Sequence, residues 1–253
     1  MKIREQKEVS ILDKTEETQS IVWRIISNMA ENIDTKGRLS MFNERYLHHY
    51  FSKGIQSNNI HLDICGKDIM LFPEWPTYKE GNGNVNNHKF AKYKKELNGY
   101  EPKDINEKEG SAGFIDFAII GSYNAPKIGV EFKYLTSWNK DAITFDFLKL
   151  MDKRNPFEVA IWFGLINREN EFSNKLSEKN FNDALTEAEK RLNEINSKPE
   201  NNKKNRKMFI LATEIACNQN NKRRHWFCGK DKIFKKIKTD KLASVDSFNP
   251  MLI

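Results

Sequence analysis

Two acids and a lysine stand where the patterning predicts β-strand. Asp116 lies within Phe114-Ile115-Asp116-Phe117-Ala118-Ile119-Ile120, and Glu131 and Lys133 lie within Lys127-Ile128-Gly129-Val130-Glu131-Phe132-Lys133-Tyr134. In the second run the period is two. Ile128, Val130, Phe132 and Tyr134 therefore share one face, while Glu131 and Lys133 point together from the other. Burying an unpaired carboxylate costs several kcal/mol, so acids at these positions need cationic partners, and one lysine cannot balance two of them. A divalent metal ion supplies the missing charge.

Around these residues the chain alternates helical and extended patterns. Ile21, Val22, Ile25, Ile26, Met29 and Ile33 recur at helical spacing and predict an amphipathic helix over about 15–34. A second helix is expected over about 40–54, with Met41, Phe42, Tyr46, Leu47, Tyr50 and Phe51 as its apolar members and Gly54 as its stop. Ile60–Cys65 and Asp68–Phe72 read as a hairpin turned at Gly66-Lys67. The stretch 73–111, with Gly81-Asn82-Gly83-Asn84 and many Lys and Asn residues, reads as an insertion or loop with a short helix over Lys89–Leu97.

The two acid-bearing strands follow, and the turn-rich link Gly121–Pro126 suits an antiparallel pair that brings Asp116 near Glu131. A helix over Ala142–Lys153 ends at Asn155-Pro156. Glu158–Ile166 is a continuous apolar strand expected to be buried on both faces. A polar helix over about 179–196 leads to a further strand, Met208–Ile215. This order predicts an α/β protein with a mixed sheet covered by helices on both faces. One domain is expected over 1–253, with its core at about 36–215.

Composition narrows the function classes. The chain is 38% hydrophobic and 30% charged, without an apolar run of the roughly 20 residues that cross a bilayer. The charged N-terminus lacks the apolar segment of a secretory signal, so cytoplasmic residence and no membrane partner are expected. Three cysteines, Cys65, Cys217 and Cys228, cannot build a disulfide framework and suit a reducing compartment. Cys217, His225 and Cys228 match no common zinc spacing and read as small buried residues.

Net charge is +7, but it is segregated: residues 198–242 hold fourteen Lys and Arg against four acids. With Trp226 and Phe227 beside Lys222, Arg223 and Arg224, this segment suits the sugar–phosphate backbone of a nucleic acid. Its plain reading is a solvated lysine-rich surface.

Asp116 on one strand, Glu131-Phe132-Lys133 on the next, an acid-bearing helix upstream and an α-β-β-β-α-β order together resemble the PD-(D/E)XK nuclease superfamily. Ile115 stands at that pattern's nominal proline, a position without a chemical role. The resemblance implies a restriction-endonuclease-like fold and a Mg²⁺-dependent nuclease, with Mn²⁺ able to substitute. It implies a DNA endonuclease of restriction or phage-defence type. Asp116, Glu131 and the Phe132 main-chain carbonyl are the implied metal ligands, and Lys133 the group that meets the attacking water or the phosphate.

Glu44 is the candidate for the upstream helix acid and a further metal ligand, with His48 one turn on. Asp63, Asp68 and Glu74 compete for that role. Lys149 has two readings: a group that approaches the phosphate or orients Glu131, or an i,i+3 salt bridge with Asp146 on an exposed face. Lys149, Lys222, Arg223 and Arg224 are the candidate nucleic-acid contacts. A catalytically inactive nuclease-like binding or interaction module is the alternative. A homodimer and a specificity-conferring partner protein both stay open.

Overall fold

Buried stripes on four helices set the layers of the molecule. A computed structural model describes residues 11–33, 43–57, 70–77, 79–80, 89–90, 113–120, 126–136, 139–168, 174–201, 205–216, 222–238, 242 and 250–253. Helices α1 (Ile11–Asn32) and α2 (Glu44–Ser57) bury Val22, Ile26, Met29, Leu47, Phe51 and Ile55 against one face of a sheet. Helices α3 (Lys140–Met151) and α4 (Asn174–Asn196) bury Phe147, Leu150, Phe181 and Leu192 against the other. No helix among the described residues is long and apolar enough to cross a membrane.

The sheet is mixed and eight-stranded. Its path is β1 (Met70–Pro76), β4 (Phe114–Ile120), β5 (Pro126–Leu135), β6 (Val159–Arg168), β7 (Lys207–Ala216), β8 (Lys222–Cys228) and β9 (Phe234–Ile237). β10 (Met251–Leu252) pairs with the first residues of β7, just below the point where β8 leaves that strand at Ile210↔Cys228. β5, β6 and β7 run parallel, and the other neighbours are antiparallel. α3 and α4 make the two parallel crossovers, which advance the same way across the sheet and so carry both helices to one face. β6 lies between two parallel strands, and its side chains alternate between the two cores: Ile161 and Phe163 on one side, Ala160 and Trp162 on the other. Such a strand has no solvated face, hence its continuous apolar sequence.

The predicted helix–strand alternation from 11 to 216 is present, with differences at its margins. The first predicted hairpin strand lies outside the described residues. The second belongs to β1, which continues through Pro76 into the expected insertion and pairs with β4 from Met70↔Ile120 to Pro76↔Phe114. Its two prolines are tolerated because, among the described residues, β1 is an edge strand. Lys89–Phe90, expected to open a helix, is strand β3 and pairs with β2 (Lys79–Glu80); residues 91–112 lie outside the described set. Within the basic segment, β8 and β9 extend the sheet past residue 215.

Two arginines tie strands to helix ends. Arg206, 2% exposed, donates to the carbonyls of Leu150, Asp152, Asn155 and Phe157, so its cation covers the C-terminus of α3 where unpaired carbonyls concentrate negative charge. Arg223 donates to Ala30 O at 2.8 Å and to Ile33 O, and closes α1 in the same way. Arg223 thus acts as a structural brace between β8 and α1.

Buried His225 faces Thr213 across β7–β8, its Nδ1 3.0 Å from Thr213 Oγ1. Burial, and then the charge of Arg223, pull its pKa from 6.5 down to about 4. An unfolded chain binds this proton near 6.5 and the folded one only near 4, so the neutral ring's contribution is complete above 6.5 and is lost as pH falls toward 4. Urea unfolding at pH 7 and pH 4.5 is expected to show wild type losing about 2–3 kcal/mol more than His225→Leu across that interval. Equal losses would show that this ring does not titrate in the window.

Candidate metal centre

Asp116 sits where β4 and β5 part. Their ladder runs from Phe117↔Val130 to Ile120↔Pro126, so Asp116 is the first residue beyond it, at the level of Glu131. In place of a strand carbonyl, the Phe132 amide N–H has the Asp116 carboxylate, donating to Oδ2 at 2.7 Å. From α2, His48 Nε2 approaches the same oxygen at 3.3 Å. Burial works against ionisation of Asp116, but His48, Lys149 and the Phe132 N–H outweigh it and hold the pKa below the usual carboxylate value.

The position of His48 follows from packing. Leu47, Phe51 and Ile55 form the buried stripe of α2, with Phe51 against Phe117 and Phe132 at ring-centroid distances of 5.2 and 5.1 Å. That contact fixes the helix's rotation. His48 then rests on the edges of Phe117 and Phe132 at 5.2 and 5.8 Å, and Glu44 lies one turn earlier on the same side.

On the other side of β5 a buried charge network joins it to α3. Glu131 is 1% exposed, and its Oε1 meets Lys149 Nζ at 2.5 Å. The same ammonium lies 3.4 Å from Asp146 Oδ1 and donates to Phe114 O at 3.0 Å. Asp146, fully buried, also accepts from Trp162 Nε1 at 3.2 Å and meets Lys133 Nζ at 3.5 Å. Lys133 reaches Glu44 Oε2 at 3.3 Å and so bridges the two helices. Burial alone would lower the pKa of Lys149, but Glu131, Asp146 and Asp116 more than offset it and keep the ammonium charged. Burial pushes the Glu131 carboxyl well up, and the charges of Asp116 and Asp146 add to that while Lys149 opposes it.

Four carboxylates, Glu44, Asp116, Glu131 and Asp146, thus face two ammonium groups, Lys133 and Lys149. Glu44, His48 and Asp116 each present one ligand atom, all within 4.8 Å of one another. Oxygen ligands sit about 2.1 Å from Mg²⁺, so atoms this close need little movement to share one cation. The donor set, two hard carboxylates and an imidazole, fits a divalent metal.

The structure brings Asp116, Glu131, Lys133 and Glu44 into one region, as expected from the sequence, and adds His48 and Asp146. Glu131, however, is held by Lys149 and is not among the ligand atoms clustered at Asp116. Of Phe132, the amide N–H is what meets Asp116. Lys149 is 5% exposed, which corrects both its expected role in nucleic-acid contact and its reading as an exposed salt bridge; the reading in which it orients Glu131 matches its contacts. Among the rival acids, Glu74 is exposed on β1, and Asp63 and Asp68 lie outside the described residues. Lys222 is exposed and Arg224 half-buried at the end of the sheet where β5, β6 and β7 finish. His225 and Cys228 point to opposite faces of β8, so they cannot share a zinc ion. Comparison of the chain with family models, curated proteins and solved structures gives no match.

The network leans on one glycine. A Cβ on Gly164 would lie 2.2 Å from the Trp162 ring, so the indole that donates to Asp146 occupies the space this glycine leaves. Gly164→Ala is expected to displace that ring, cost about 1–3 kcal/mol and loosen Asp146. Thermal melts and indole fluorescence check this; an unchanged melt with an unchanged spectrum would show that the ring has room to spare.

Proposed function

We propose that the chain is a divalent-metal-dependent nuclease of the PD-(D/E)XK kind, built on a restriction-endonuclease-like sheet and cutting phosphodiester bonds in DNA. The observation that carries this reading is the cluster of Glu44, His48 and Asp116 at the β4–β5 junction, their ligand atoms within 4.8 Å of one another, with Lys133 two residues beyond Glu131. A bound divalent cation supplies Lewis acidity toward a phosphoryl oxygen and makes a water molecule more acidic. Glu44, His48 and Asp116 would hold it.

The chain's own groups divide the remaining tasks by exposure. The Lys133 side chain is 20% exposed against 7% for Lys149, so Lys133 is the ammonium a substrate reaches. Glu44 and Asp146 take two of its three donor directions, which leaves a third for a phosphate oxygen or the attacking water. Held this way, its charge is preorganised toward the negative charge that develops on the transferred phosphate. Asp146 is a positioning residue because it acts through Lys133 and Lys149. Lys222, Lys236 and Lys238 are exposed on β8 and just along β9 and supply cationic surface for the phosphate backbone.

The rival reading is a nuclease-like module that binds nucleic acid without cutting it. It draws on one observation, the Lys149–Glu131 ion pair, in which an internal cation already meets an acid the reaction would use.

Incubation of supercoiled plasmid and single-stranded DNA with Mg²⁺ or Mn²⁺ separates the two. Cleavage is expected, abolished by EDTA and by Asp116→Ala, and reduced about 10²- to 10³-fold by Lys133→Ala, the scale of losing one transition-state donor. Metal-independent DNA binding with no cutting under any of these conditions would establish the rival.

A further inference from the structure

We infer that the centre takes a single divalent cation, between Glu44, His48 and Asp116, and that the Lys149 ammonium occupies the position beside Glu131 that a second cation would need. The inference rests on the metal-dependent reading above, though not on cleavage. It also parts from what the resemblance implies, since it removes Glu131 from the ligand set.

Crowding of charge is the first argument. Lys149 and Lys133 already stand against Glu131 and Asp146. A second ion would bring two further positive charges to a site where Glu131, Asp146 and Lys149 are 1%, 0% and 5% exposed. Desolvated charge of that size is not tolerated without partners.

Geometry is the second. Lys149 Nζ lies 2.5 Å from Glu131 Oε1 and 3.4 Å from Asp146 Oδ1 and donates to Phe114 O at 3.0 Å, so it fills the space beside Glu131. To give Glu131 to a cation, Lys149 would have to release its closest partner while remaining buried, with the Phe145 ring 5.2 Å from its Nζ. His48 is the third. Its ring is fixed by Phe117 and Phe132 and aimed at Asp116, so the cluster at α2 is complete with three ligands and does not call on Glu131.

The test is the stoichiometry of Mn²⁺, an ion that accepts carboxylate and imidazole ligands alike, titrated into the intact chain by calorimetry and by the paramagnetic resonance of free Mn²⁺. Wild type is expected to bind one ion. His48→Ala and Asp116→Asn should weaken it at least as much as the roughly 10- to 100-fold that loss of an outer partner costs a metal site. Glu131→Gln should leave affinity near that of wild type. Lys149→Met, which frees Glu131, should bind a second ion; because that variant leaves a buried acid unpaired, the Lys149→Met/Glu131→Gln double variant serves as its folded counterpart and should return to one.

Two ions on the wild type, an unchanged affinity in His48→Ala, or a Glu131→Gln loss as large as that of Asp116→Asn would each overturn the inference. One ion with the expected ligand pattern but intact plasmid would leave the inference standing and remove the nuclease. Two ions with cleavage would do the reverse, and no bound ion would remove both.

Discussion

An ammonium cannot lie in the interior of a protein unless oxygen atoms surround it, and the position of Lys149 imposes that demand on three elements at once. Its partners are Glu131 on β5, Asp146 on its own helix, and the carbonyl of Phe114, the first residue of β4. α3 can therefore approach the sheet in one way only, with its charged turn over the place where β4 and β5 separate. The separation in turn releases the Phe132 amide to Asp116. Asp116, Glu131 and Lys133 thus owe their arrangement to one buried cation as much as to the strands that bear them.

Such a cluster contributes little net stability. The cost of removing charges from water roughly cancels their mutual attraction, and an apolar core of the same volume is often as stable or more so. Most of the interior is apolar, with Ile161, Phe163, Leu211 and Phe209 on one face and Trp162, Ile210 and Phe181 on the other. Four acids and two lysines at one point on the sheet are costly there, and packing does not account for them. The two helix-capping arginines, by contrast, are explained by structure alone: Arg206 and Arg223 meet main-chain carbonyls at the ends of α3 and α1.

What could be read from the sequence follows from the range of each interaction. The face of Glu131 and Lys133 was legible because a strand's period is two and Ile128, Val130 and Phe132 mark the other face. β6 was legible because burial on both sides leaves an unbroken apolar run. Lys149 and Asp146 were misleading, because i,i+3 opposite charges on a helix usually face water, while α3 is buried along almost its whole length and gives no polar stripe to orient it. β8 and β9 were hidden by the many basic residues of the C-terminal segment. Arg223 was unreadable in principle, since its partners lie about 190 residues away. His48 did leave a signal: Glu44, Leu47, His48, Phe51 and Ile55 form one continuous helical stripe, apolar in its later turns and able to ligate in its first.

The two lysines show how burial divides one chemistry into two roles. Both are ammonium groups within reach of Asp146, and both have raised pKa values because acids outweigh desolvation. Lys149, closed in by α3 and the sheet, donates to Phe114 O and lies against Glu131 and Asp146, so its charge serves to fix both acids. Lys133 emerges at the sheet's surface between Glu44 and Asp146, where a donor remains for an incoming anion. Asp146 joins them, and Trp162 steadies Asp146 from β6. A displacement of the indole would thus reach Lys133 through one carboxylate without touching His48 or Asp116, which makes the packing of β6 part of the site.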